Sequence, residues 1–367
     1  MRRPFFFVFL TLLLLPSIVI AQTVEHSCPD IVNTALEAAN EMCGDLGRNQ
    51  ICYGNFRLEA TPQETANGFY FDRVGDKVSV NDISTLQLSP MDVDAGEWGV
   101  AVMLLQANLP GTLPGQNVTI ILFGDVFIQN QTTQEQVENG EFTPMQAFYL
   151  TTGIGDSRCA EAPESGMLVQ TPKGVGEVNF LINGVEVAMG STVMFQAPTD
   201  NELTATTIEG VAVLKVDDQA YPVLQGTRFG VQRLPENVRF IPIPDLPDAY
   251  PLTSVQALPL GLLARPIEIA LPLDKTALAE LQNRIDNNLP LCGEPPFPSC
   301  DDLIPSLGGL GCLFPENYED NIVPEDLSHI PICEASGFYV PTADTTQTDT
   351  SSVSVPNNQQ NNQQTDD

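Results

Sequence analysis

"GEVNFLINGVEVAMGSTVMFQA" occupies residues 176–197. Apolar side chains recur at every second position: Val178, Phe180 and Ile182, then Val185, Val187 and Met189, then Val193, Phe195 and Ala197. A period of two belongs to a strand with one buried face. Asn183-Gly184 separates the first two runs, and a type I′ hairpin turn needs positive φ at both of its central residues, which this pair tolerates best. Gly190-Ser191 separates the next two. The pattern continues through "LTATTI", a Glu209-Gly210 turn, "VAVLKV", a "DDQA" turn and "YPVLQGTRFGVQ". Gly or Pro breaks every run, so a helical reading fails. Residues 163–234 therefore predict an all-β roll or short solenoid.

Working outward, residues 22–162 predict an antiparallel β domain with one helix. Ile31, Val32, Ala35, Leu36, Ala39 and Met42 form a helical stripe behind Pro29. Strands follow over 51–60, 83–89, 98–109 and 117–130, with a further one in "FTPMQAFYLTTG" and Gly, Pro, Asp and Asn between them. Residues 235–272 are proline-rich. "IPIPDLPDAYP" cannot form a central strand, because Pro lacks the N–H donor. Its Leu and Ile predict an extended connector that packs along a domain. Residues 273–340 predict a small Cys-rich segment with one helix, capped by Asp274 and buried through Leu278, Leu281 and Ile285. Residues 341–367 lack aromatics, Leu and Ile, the composition of a disordered tail. The fold class expected is mainly β.

Residues 1–21 read as a secretory signal peptide: Arg2 and Arg3, then an apolar run to Ile20, with cleavage expected after Ala21. No later segment is apolar enough for a helical membrane span once that peptide is removed. The net charge is −32, and about −34 without the signal. Such a chain repels nucleic acid, whose binding requires neutralising phosphates with Lys and Arg. All eight cysteines follow the signal: Cys28, Cys43, Cys52, Cys159, Cys292, Cys300, Cys312 and Cys333. An even count in an exported chain predicts disulfides, and the spacing is not that of a zinc site. An unbroken helix would hold Cys28 and Cys43 roughly 22 Å apart, beyond disulfide reach. Cys43–Cys52 with Cys28–Cys159 is then preferred. Cys28–Cys52 with Cys43–Cys159 stays open, as does the pairing of the last four.

Three pieces of the central region carry a family resemblance: "INGVEVAMGSTVMF" (182–195), "LTATTIEGVAVLKV" (203–216) and "VLQGTRFGV" (223–231). Their turn glycines and strands resemble the FecR-type periplasmic domain, over about 70 of 367 residues. The resemblance implies an extracytoplasmic β domain in a bacterial protein. In that family such a domain relays a receptor's state to a cytoplasmic sigma factor, which makes a sensory component of envelope signalling one expectation. This chain departs from the family plan: a cleavable signal stands where the regulators have a cytoplasmic segment and a membrane helix. The first region ("CPDIVNTALEAANEMC", "RNQICYGN", "LPGQNVTIILFGDV") resembles a recurrent module of exported bacterial proteins, which implies no activity.

Catalytic signatures are missing from the sequence. No G-x-S-x-G, HExxH, Walker or dinucleotide motif occurs, and the two histidines, His26 and His329, lie far apart. Ser157 reads as a loop residue, and Trp98 as a packed strand residue. Asp92, Asp94 and Glu97 around Gly96 could offer oxygens to calcium, although the turn lacks the long loop and distal Glu of a known calcium motif. Arg228 is one of few cations and suits either an anionic partner or a nearby carboxylate. No catalytic residue, metal site or cofactor is expected. The reading is a secreted or extracytoplasmic, non-catalytic binding or structural module at the cell envelope. Its expected partner is an envelope or extracellular protein or glycan. A hydrolase without a recognised motif is the lesser alternative.

Overall fold

The computed structural model describes residues 27–106, 117–139, 142–153, 159, 162–173, 178–199, 201–216, 219–234, 240–287 and 289–298. Its architecture is mainly β, with seventeen strands among the described residues laid out in two sheets. In spatial order, the nine-stranded sheet runs β17 (Phe240–Ala249), β16 (Thr227–Arg233), β13 (Glu202–Glu209), β12 (Thr192–Gln196), β9 (Gly166–Gln170), β6 (Asn117–Phe123), β5 (Val100–Gln106), β1 (Gln50–Asn55) and β3 (Lys77–Ser79). The eight-stranded sheet runs β15 (Gln219–Leu224), β14 (Val211–Val216), β11 (Val185–Met189), β10 (Val178–Ile182), β8 (Ala147–Thr152), β7 (Val126–Asn130), β4 (Ile83–Leu88) and β2 (Leu58–Pro62). The inward residues of both sheets interdigitate in one core that runs from Ile51 and Leu86 to Val223 and Val231.

The chain changes layer repeatedly. The hairpin β10–β11 lies in one sheet, the hairpin β12–β13 in the other, and β14–β15 returns to the first. Both central turn residues of β10–β11, Asn183 (φ 55°) and Gly184 (φ 83°), take the positive φ expected of them. Two runs read as single strands are each divided between the layers. The run 51–60 splits into β1 and β2. The run 117–130 splits at Gly124, whose φ of +77° turns the chain and where a Cβ would collide with Ser165.

The regions on either side of residue 163 share both sheets. In one sheet β9 pairs with β6 on one side and β12 on the other. In the other, β10 pairs parallel to β8. A half-sheet with an open edge leaves unpaired N–H and C=O groups, and here each half completes the other's edges. Asn183 secures the parallel joint. Its amide N–H donates to the Phe148 carbonyl (3.1 Å), its side-chain Oδ1 accepts from the Leu150 amide (2.7 Å), and its Nδ2 donates to the Leu150 carbonyl (2.9 Å).

The outer faces are covered unequally. Helix α1 (Cys28–Cys43) lays Ile31, Val32, Ala35 and Ala39 on the nine-stranded sheet against Trp98, Val100 and Phe123. Ser27 caps it, accepting from the Asp30 amide. The connector begins as the edge strand β17 and then crosses the same face, burying Tyr250, Val255 and Leu258. The Arg233 amide donates to Asn201, so alternation along β16 puts Ile241 and Ile243 in hydrogen-bonded positions and points the Pro242 nitrogen outward, where no donor is lost. After a five-residue helix α2 (Gln134–Glu138) earlier in the chain, the last helix is α3 (Lys275–Asp286). Asp274 caps it, and Leu281 packs with Leu273, Leu291 and Phe297 on β11, β14 and β15 of the eight-stranded sheet.

Cys28 bonds Cys159 and Cys43 bonds Cys52. The first link closes 131 residues, which constrains the unfolded chain by about 5 kcal/mol in the chain-entropy account. Cys292 is also disulfide-bonded. Cys300, Cys312, Cys333 and the segments read as a signal peptide (1–21) and a disordered tail (341–367) lie outside the described residues.

Replacing Asn183 by Gly keeps the turn's backbone freedom but leaves two buried Leu150 groups unpaired. Urea unfolding should show a loss of about 2–4 kcal/mol, and a loss below about 0.5 kcal/mol would show that the joint does not depend on this side chain.

Candidate binding face

Two polar features of the sheets lie outside the core, one buried and one open. The buried one crosses the outer face of the nine-stranded sheet. Register places Thr119 beside Gln170, Gln170 beside Thr192, and Thr192 beside Glu209. Arg265 of the connector lies over this ladder. Its Nη1 donates to Glu209 Oε1 (2.9 Å), its Nη2 pairs with Oε2, and its backbone exchanges two bonds with the Gln170 side chain (3.0 and 3.1 Å). Lys173 approaches Glu209 Oε1 at 3.4 Å. Burial raises the Glu209 carboxyl, but the hydrogen bonds and charge of Arg265, helped by Lys173, outweigh it and hold the group below its ordinary value. Nearby, Tyr250 donates its hydroxyl to the Ala270 carbonyl, and burial pushes its pKa up to about 12. The Arg265 bonds fasten the connector to the sheet, and the Tyr250 bond ties two parts of the connector together.

The open feature is the outer face of β2, β4, β7 and β8. Leu58, Leu86, Leu88, Val126, Ile128, Phe148 and Leu150 point into the core, so the alternate residues point out. Register aligns them in two rows: Glu59, Gln87, Phe127 and Thr151, then Thr61, Thr85, Gln129 and Tyr149. None of these residues belongs to the clusters under α1, the connector or α3. Gln87 and Gln129 are exposed, and Tyr149 is 41% exposed. Glu59, on the edge strand, is the single charged side chain of the two rows. Phe127 and Tyr149 are diagonal neighbours across β7 and β8, a separation of roughly 7–8 Å. A groove of about 450 Å³ lies elsewhere, between α3 and Phe297, with Leu271, Asp274 and Glu280 on its walls.

The residues singled out in the sequence fall in separate places. Asp92 and Glu97 face each other across a bridge, and Arg57 reaches both, at 3.4 Å and 2.6 Å. Asp92 Oδ1 accepts from the Ala95 amide. A cation thus already sits among these carboxylates. Trp98 is buried, packs on Phe123 and α1, and accepts a bond from Asn55 at its carbonyl. Arg228 is exposed on β16, opposite Asp248. His26, His329 and Ser157 lie outside the described residues. Among the described residues no three His, Cys, Asp or Glu gather as a metal site would require, and no helix is long and apolar enough to cross a membrane. The sequence reading missed the Glu209–Arg265 pair, 56 residues apart, and the open face. Its outward residues are visible in "ISTLQL", "VFIQN" and "AFYLTT", but the strand order that joins them is not.

No family model matches this chain, and no curated protein matches it. Two solved structures provisionally described as an anti-sigma factor from Parabacteroides distasonis ATCC 8503 are similar in part. Identity is 8% and 7%, and the TM-score is 0.24 for both. The similarity covers 38% and 39% of this chain and 58% and 59% of theirs, so it spans a little over half of the anti-sigma chains.

The lowered Glu209 carboxyl fixes the sign of a pH effect. Its contribution is full above about pH 4.5 and is lost as pH falls through the depressed folded value. Glu209→Gln should cost about 1–3 kcal/mol at pH 7, and its stability deficit should shrink on acidification below that pH; a constant deficit would refute the pairing. Because Arg57 occupies the acidic turn, millimolar calcium should leave the melting temperature unchanged in a thermal-shift titration, and a clear rise would overturn that assignment.

Proposed function

We propose that this chain is an exported, non-catalytic binding module of the cell envelope or extracellular space. The observation that carries the reading is the open face of β2, β4, β7 and β8. The outer face of the nine-stranded sheet is overlaid by α1 and the connector, and part of the eight-stranded sheet by α3. The remaining part keeps the exposed amides of Gln87 and Gln129 and the exposed ring of Tyr149, with half-buried Phe127, Thr85 and Thr151 beside them, on a rigid support, as a recognition surface does. The disulfides fit an oxidising compartment. The charge of −32 disfavours nucleic acid and anionic lipid as partners. The expected partner is an extracytoplasmic protein or glycan.

A photo-crosslinking residue placed at Gln129 should capture a surface component from the cells that make this protein, and one placed at the exposed Glu41 of α1 should not. Equal capture at both positions, or none at either, would refute this face as the binding surface.

A further inference from the structure

The geometry points to a neutral polysaccharide as the occupant of the open face; this rests on the binding-module reading above. The chain as a whole is strongly acidic, with 47 Asp and Glu against 15 Lys and Arg. On β4, β7 and β8 this face nevertheless presents no charge: Thr85 and Gln87, Phe127 and Gln129, Tyr149 and Thr151. A polyanion would meet no cation on these strands and would be repelled by the carboxylates at the margins of the face, Glu59 on the edge strand and Asp125 just before β7. A cationic peptide would find carboxylates only at those two margins. An apolar helix would strand the amides of Gln87 and Gln129 without partners.

Neutral sugars match what is present. Side-chain amides and hydroxyls both donate and accept, as sugar hydroxyls require. The C–H face of a pyranose ring is apolar and packs flat on an aromatic ring, while its equatorial hydroxyls point sideways. Phe127 and Tyr149 are diagonal neighbours, and Gln129 and Thr151 stand directly across the strands from them. Each ring therefore has a hydrogen-bonding group at its side. All six side chains stand on three central strands held by the core, so ordering costs on binding are small. The face crosses strands and is not enclosed, which suits an extended chain of sugars rather than one enclosed residue.

The test is affinity electrophoresis of the oxidised, exported chain through gels containing neutral polysaccharides (a β-glucan, a mannan, a galactan) or acidic ones (alginate, polygalacturonate). Retardation is expected with at least one neutral polymer and with neither acidic one. Tyr149→Ala and Phe127→Ala should each weaken binding about tenfold. Both positions are outward-facing, and an unchanged melting temperature would show that the fold is intact. Glu41→Ala on α1 should bind as the parent does. No retardation by any neutral polymer, or retardation insensitive to both ring variants, overturns the inference. Capture of a protein at Gln129, lost with Tyr149→Ala and without polysaccharide binding, would overturn the glycan while leaving the binding face standing. Failure of both assays would remove both.

Discussion

The side-chain amide of Asn183 is the constraint on which the architecture turns. Parallel strands have no tight connection of their own, and β8 and β10 meet over only two residue pairs. Asn183 extends that meeting by standing in for one more strand residue, giving Leu150 both a donor and an acceptor. The same residue needs the positive φ that turns β10 into β11. Arg233 then donates to its carbonyl (2.7 Å) and lies over Phe240, at 4.6 Å from the ring centre. One short polar side chain thereby couples the hairpin, the joint between half-sheets and the start of the edge strand. An ionised Asp could not donate to Leu150, and Gly would keep only the backbone bonds to Phe148 and Arg233.

The rest of the molecule consists of coverings laid over the joined sheets. Helix α1 is held at both ends by disulfides, to Cys159 and to Cys52. The connector is held by Glu209 and Gln170 and by the Ala270 amide, which donates to the Ile208 carbonyl. Each covering hides apolar or ladder-forming residues that water would otherwise reach. Where the outward residues are themselves amides and hydroxyls, solvent satisfies them and no covering is required. The open face and the covered faces thus follow from the composition of alternate strand residues.

Much of this was legible in the chain. The mainly-β class, the Asn183-Gly184 turn, the Asp274 cap and the inability of "IPIPDLPDAYP" to sit inside a sheet all follow from local chemistry: period, φ preference and missing donors. Layer changes were harder to see. β6 ends at the Gly124-Asp125 pair, a break of two residues between apolar runs, and nothing in the period of "NVTIILFGDVFIQN" marks which side of the core each half serves. The strand "GMLVQ" (166–170) is fully buried, so it lacks alternation, yet it bridges the nine-stranded sheet. The candidate face was hidden for the same reason. Its members are ordinary outward residues, and only the order β2-β4-β7-β8 makes them neighbours.

The ends of the two sheets have a consequence for how copies of this protein can meet. Of the four terminal strands, β3 is three residues long, and β2, β15 and β17 carry Pro62, Pro222 and Pro242. A missing amide interrupts the ladder that an incoming strand would need. Growth by strand addition, the route by which exported β proteins form ribbons and fibres, is therefore discouraged at every margin. An acidic, cross-linked slab of this kind can crowd beside its own copies without polymerising, and its associations are confined to what its faces select.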